Sequence, residues 1–198
     1  MIKKLVGFDT VSRESNLPLI DFVQNILDDQ GIDSRRVPSA DGQKSNLIAT
    51  VGPSEAGGVV LSGHTDVVPV DGQDWDSDPF TLMRSGSRLY GRGSCDMKGF
   101  IGIALALVPK MVNLRRPIHF ALSYDEEVGC LGAPDMIEVI RRELPEPQGV
   151  IVGEPTTMGA VIGHKGMVGL RTVVRGYEAH SSLTHRGVSA VMTAARLV

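Results

Sequence analysis

Ile118-His119-Phe120-Ala121-Leu122-Ser123-Tyr124-Asp125-Glu126-Glu127 joins a near-continuous apolar run to three consecutive acids. The run suits a strand covered on both faces, as the strands of parallel sheets are. Acids just past such a strand stand at the rim where open α/β sheets hold their ligands. Neighbouring side chains on an extended chain point opposite ways, so Glu126 and Glu127 are placed for different tasks, one on a metal and one on a proton. Taken alone, the triplet reads as a solvated acidic loop. Its surroundings reverse that reading.

On the amino-terminal side, residues 2–31 read as helical with a break around Ser15-Asn16-Leu17-Pro18, after which Leu19, Ile20, Val23, Ile26 and Leu27 recur at helical spacing. Gly31 stops that helix, and strands are expected over 32–37, 46–51 and 59–63, the last set off by Gly57-Gly58. Residues 71–88 are polar and turn-rich. The glycine-rich stretch Gly91-Arg92-Gly93-Ser94-Cys95-Asp96-Met97-Lys98-Gly99 opens a helix reaching about Asn113, which Pro109 should kink or end. Beyond the opening strand come a helix over 133–143 and a central strand over 149–152 that ends at Gly153-Glu154-Pro155. Alternating strands and helices predict an α/β three-layer sandwich with a mostly parallel central sheet. After about Gly163 the pattern changes. Residues 168–175 alternate apolar and polar, as a half-exposed antiparallel strand does, and a helix near Val188 runs to Val198 without a cap, as in a truncated chain. The expected division is 1–162 and 163–198.

The 198 residues suffice for one substantial domain and part of another. A net charge of −3 gives no reason to expect nucleic acid or an anionic membrane as partner, and no apolar stretch is long enough to span a bilayer. Asp9, Arg13 and Glu14 interrupt the amino terminus before a signal core can form, and Cys95 and Cys130 lack CxxC spacing, so a cytoplasmic chain without disulfides is expected.

His64-Thr65-Asp66 follows strand 59–63, Asp96 lies in the glycine-rich loop, and Glu154 ends strand 149–152. Residues after successive parallel strands converge on one rim, where a histidine among carboxylates makes a mixed nitrogen and oxygen site for zinc or a similar ion. Without a cation such acids would repel one another. His64 and Asp66 share a face of an extended segment, and Asp66 can accept the imidazole N–H and fix the tautomer.

Four stretches in order, 63–69, 91–99, 125–127 and 152–156, resemble the dinuclear zinc amidohydrolase family of aminoacylases, desuccinylases, deacetylases and carboxypeptidases. The finer text of 8–13, 71–80 and 123–132 is most similar to its amino-acid deacetylase branch. The resemblance implies a zinc-peptidase-like catalytic domain followed by the start of an α+β lid and dimerisation domain. It implies metal-dependent hydrolysis of an N-acyl amino acid, with two zinc ions per full-length subunit, replaceable by cobalt, in a homodimer. Asp96 would bridge the ions, His64 and Glu154 would complete one set of protein ligands, and Glu127 would serve the other. Glu126 would be the general base, Asp66 would orient His64, and the Asp96–Met97 peptide would be cis. Tyr177-Glu178-Ala179-His180-Ser181-Ser182 resembles the lid motif whose histidine, here His180, donates to the oxyanion. The family pattern has a further histidine on Glu127's metal near the carboxyl end, past Val198, so one tight ion is expected here. Alternatives are another amidase of the family, or an incompetent fragment that keeps one metal. No role is expected of Cys95, read as a small packed residue. His119 reads as a satisfied sheet residue, His164 and Lys165 as a possible domain junction, and His185 with Arg186 as surface or substrate-carboxylate contacts.

Overall fold

In a computed structural model, which describes residues 1–163, 165–166 and 168–198, two compact units are distinct: Met1–Met158 and Gly159–Val198.

The first unit begins with α1 (Ile2–Val6) and α2 (Leu17–Asp28), separated where Asn16 and Pro18 start a new helix. β1 (Ser34–Pro38) and β2 (Ser45–Val51) form an antiparallel hairpin, followed by β3 (Val59–His64). The polar stretch holds a small hairpin, β4 (Met83–Ser85) with β5 (Arg88–Tyr90), that the sequence pattern did not signal. α3 (Lys98–Leu107) ends in a 3-10 turn over Val108–Lys110, where Pro109 removes a backbone donor. β6 (Ile118–Ser123), α4 (Ala133–Glu143) and β7 (Gly149–Val152) complete the unit.

The main sheet has the order β1-β2-β6-β3-β7. β3, β6 and β7 run parallel, while β2 is antiparallel to both its neighbours. The α/β sandwich with a mostly parallel sheet is therefore as expected: β1, β3, β6 and β7 share one direction, and β2 alone is reversed. The physical reason is local: a six-residue link between β1 and β2 has room only for a hairpin, whereas parallel strands need a crossover.

Side-chain alternation sorts the core into two layers. Leu47, Ala49 and Val51 of β2 and Phe120 and Leu122 of β6 pack with Leu5, Leu19, Ile20, Val23, Leu27, Ile101 and Leu105 of the first three helices. Ile48, Val60 and Ala121 face the other way onto Met136 and Val139 of α4. Because β3, β6 and β7 are parallel, their carboxyl ends open on one rim, and the amino end of antiparallel β2 lies there too.

In the second unit, Tyr177 and Val188 form an isolated antiparallel bridge, a 3-10 segment covers Ser181–Arg186, and α5 spans Ala190–Ala194. Two expectations are corrected. Residues 168–175 carry no strand, because no hydrogen-bonded neighbour lies alongside them among the described residues, and a lone strand leaves its backbone groups unpaired. The last helix is capped by the Ser189 hydroxyl and ends at Ala194, short of Val198. His164 lies outside the described residues.

Candidate metal centre

The turn after β3 is fixed through Thr65. Its oxygen accepts from the Thr10 hydroxyl at 2.6 Å, and its own hydroxyl accepts from Asn16 Nδ2 at 2.9 Å and donates to the Ser123 oxygen at 2.8 Å. His64 and Asp66, each 2% exposed, thus leave a clamped backbone on the rim. His64 Nδ1 lies 2.9 Å from the main-chain oxygen of Asp66. A carbonyl oxygen only accepts, so Nδ1 carries the hydrogen. Nε2 then faces Asp96 Oδ1 at 2.9 Å and Glu154 Oε1 at 3.6 Å.

It is therefore the main chain of Asp66, not its carboxylate, that takes the imidazole N–H. The carboxylate stands 3.6 Å from Nδ1 as a neighbouring charge and is engaged elsewhere. It accepts from the Ser12 hydroxyl at 2.7 Å and from the backbone N–H groups of Glu126 at 3.1 Å and Glu127 at 3.3 Å. Burial pushes the Asp66 carboxyl up, but these donors and His64 outweigh it and hold it below the ordinary range.

Asp96 sits just before α3, whose dipole favours a negative charge at its amino end, and the Asp96–Met97 peptide is cis. One ligand atom each from His64, Asp96 and Glu127 lies within 4.8 Å of the others. Glu126 shares the same loop, and its Oε1 is 3.7 Å from the Cys130 thiol. Glu154 follows β7, where Gly153 has no room for a side chain: an added Cβ would fall 2.1 Å from Cγ of Phe100.

The donor set fits a divalent cation. Burial raises the Glu127 and Glu154 carboxyls, and the neighbouring acids Asp96 and Glu126 raise both further against the opposing pull of His64. Burial alone would depress the His64 imidazole, yet Asp66 and then Asp96 raise it to about 10. Here a proton on Nε2 holds Asp96 and His64 together. A cation in that position would take the proton's place and answer the repulsion of the acids.

Two residues, Cys95 and His119, depart from expectation. Cys95 is an exposed free thiol rather than a packed one. His119 is half satisfied: Nδ1 meets Thr50 Oγ1 at 2.9 Å, while buried Nε2 has no hydrogen-bond partner among the described residues. His180 starts the Ser181–Arg186 segment, and its Nδ1 accepts from the Ser182 N–H at 3.2 Å. His185 and Arg186 are exposed within that segment. Sequence reasoning assigned no role to Ser12, Asn16, Lys44 or Lys98. Lys98 is fully buried at the head of α3 and donates to the Phe8 oxygen at 2.7 Å. Their partners lie as many as 90 residues away in the sequence, so no local pattern signals them.

The model for "Peptidase family M20/M25/M40" matches residues 60–198, which takes in every member of this rim cluster. The chain belongs to that family. Among curated M20 relatives, an acetylornithine deacetylase of Myxococcus xanthus is 38% identical over 202 residues, covering 100% of this chain and 52% of that protein. One of Pasteurella multocida is 36% identical over 181 residues, covering 90% and 46%. The chain thus spans about half the length of the curated relatives it matches. Among solved structures, a tripeptidase from Staphylococcus aureus superposes with a TM-score of 0.66 at 20% identity, over 98% of this chain and 53% of that one, a likeness of fold. Human carnosine dipeptidase 1 gives 0.60 at 26% identity, over 72% and 34%.

Proposed function

We propose that this chain is the metal-holding part of an amide hydrolase whose substrate is an N-acyl amino acid, N2-acetyl-L-ornithine first, cleaved by water to L-ornithine and acetate. The observation that supports this most is the convergence of His64, Asp96 and Glu127 within 4.8 Å, with Glu154 and Glu126 alongside, on one sheet rim. The choice of substrate draws on the names of the M20 relatives at 36–38% identity.

His64, Asp96 and Glu154 would hold one cation, and Asp96 with Glu127 a second. A divalent cation bound there supplies a polarised acyl oxygen and a more acidic water, with zinc or cobalt both suited to the donors. Glu126 takes a proton from water as its oxygen bonds to the acyl carbon, and then delivers that proton to the amine nitrogen as the carbonyl re-forms and the C–N bond breaks. Asp66 holds the His64 tautomer through its main-chain oxygen. His180 uses Nδ1 as an acceptor within its own turn, which leaves the hydrogen on Nε2 as a donor for the oxyanion. We assign residues 163–198 to the start of a lid and dimerisation domain, through which that donor would come from the second subunit of a homodimer.

Two substitutions divide the acidic pair. Glu126→Gln should lower kcat by about 10²–10⁴-fold, the range for losing a positioned general base, with metal content kept. Glu127→Gln should lower metal content itself. The opposite pattern would exchange the two roles. Turnover of N2-acetyl-L-ornithine should exceed that of an N-succinyl amino acid and of a dipeptide. Preference for the dipeptide would move the assignment toward the reaction named for the human relative. Metal retention without turnover of any of the three would leave a metal-holding chain that does not catalyse.

A further inference from the structure

The loop that carries Glu126 and Glu127 is held from below by groups that the proposed chemistry does not use. Lys44, the residue before β2, donates through Nζ to Asp125 Oδ1 at 2.5 Å and to the main-chain oxygen of Ser12. Ser12 in turn donates its hydroxyl to Asp66 Oδ2, and the Asp66 carboxylate receives the two successive amides of Glu126 and Glu127. Asp125 is in the left-handed region (φ 55), a conformation that aspartate tolerates better than most residues. The bend lets adjacent amides converge on one carboxylate, as backbone nests do for anions. The far end of the loop is closed by the Leu131 N–H on the Asp125 oxygen at 3.0 Å and by Asn46 Nδ2 on the Gly132 oxygen at 2.9 Å.

The Lys44 and Asp125 side chains are 16% and 12% exposed, unlike the surface ion pairs of this chain, such as Arg13 with Asp71 and Arg116 with Glu55. An exposed pair contributes little and is easily remade by water, whereas a sheltered one holds one geometry.

We propose that Lys44, Ser12 and Asp125 are positioning residues that act through Asp66 to set the backbone of Glu126 and Glu127, and so aim the proton-moving and the metal-holding carboxylates. Asp66 then serves both arms of the site, with its main-chain oxygen on His64 and its carboxylate on the acidic pair. The inference rests on the amide-hydrolase reading only for its kinetic readout.

The test compares Lys44→Met, Lys44→Arg and the double variant Lys44→Met/Asp125→Asn in the full chain. Binding of cobalt, followed by its visible absorption, is measured beside kcat and KM for N2-acetyl-L-ornithine. Misaiming a reacting group by an ångström costs up to about a hundredfold, so Lys44→Met should lower kcat roughly tenfold to a hundredfold, with KM moved far less. It should also weaken cobalt binding and change the absorption band, and Lys44→Arg should recover most of each. The double variant leaves no unpaired charge, so it should fold even where the single variant does not, and should retain the kinetic defect. Wild-type kcat and wild-type cobalt spectrum in the folded double variant would overturn the proposal and leave a stabilising pair only. A wild-type chain that binds cobalt but hydrolyses no amide would sink the functional reading instead, and the cobalt spectra would still decide the positioning role.

Discussion

At the residue scale, His64 shows how a buried side chain is prepared for a ligand. Its Nδ1 proton is committed to the Asp66 oxygen, and the second proton, on Nε2, is held by Asp96 and by the Asp66 charge with an imidazole pKa of about 10. A metal requires the neutral ring. Zinc binding at pH 7 should therefore expel about one proton from this residue, whereas an ordinary histidine would already be mostly neutral. Calorimetry in buffers of different ionisation enthalpy would count it. A count near zero would mean that Nε2 is bare in the metal-free protein and that Asp96 is turned away. That His64 and Asp66 would work together was legible from their spacing. The exchange of main-chain for side-chain acceptor was not, because it depends on Ser12 and the Glu126 and Glu127 amides, which no local pattern brings near.

At the scale of elements, most strands and helices along residues 17–152 were readable, because hydrophobic period and turn residues agree there, but α1 stops at Val6 although helix was expected up to the break near Ser15, and α3 stops at Leu107 rather than near Asn113. The exceptions have separate causes. The reversal of β2 follows from the short link between β1 and β2, while the β4–β5 hairpin is exposed and carries no apolar stripe to announce it. Residues 168–175 have strand-like alternation without a neighbouring strand among the described residues, and alternation needs a partner to become structure. Gly153 links an element to the site. Phe100 of α3 fills the place a side chain there would need, so Gly153→Ala should lower stability by about 1–3 kcal/mol by overpacking and shift Glu154 with the backbone. Thermal melts with and without zinc would show a lower Tm and a smaller stabilisation by metal. An unchanged Tm would mean that Phe100 moves aside freely.

At the scale of the whole molecule, two buried bases pull stability in opposite directions as pH rises. His64 has a raised folded pKa, so in metal-free protein its contribution is complete below pH 6.5 and is lost as pH climbs through about 10. For Lys98, burial lowers the pKa from 10.5 to about 8, against the raising charges of Asp9 and Asp66. Between those values the unfolded chain binds the proton and the folded chain does not, so stability is gained as pH rises from about 8 to 10.5. Comparison with Lys98→Met isolates this effect. The wild type should gain on the variant by on the order of 3 kcal/mol across that window in denaturant titrations. A constant difference would show that Lys98 keeps its charge when folded.

By itself, the sequence determined which residues are candidates to hold a metal and that they follow successive strands, the order of the main-sheet strands and their helices, and the likeness to the M20 family, since these depend on residue type and on spacing along the chain. Tertiary structure alone decided the reversed direction of β2, the distances and hydrogen bonds among His64, Asp66, Asp96 and Glu154 on the rim, and the link from Lys44 through Ser12 and Asp66 to the acidic pair. Those arrangements join side chains dozens of residues apart, and such distances close only when the two core layers pack against the sheet and the parallel strands bring their ends together.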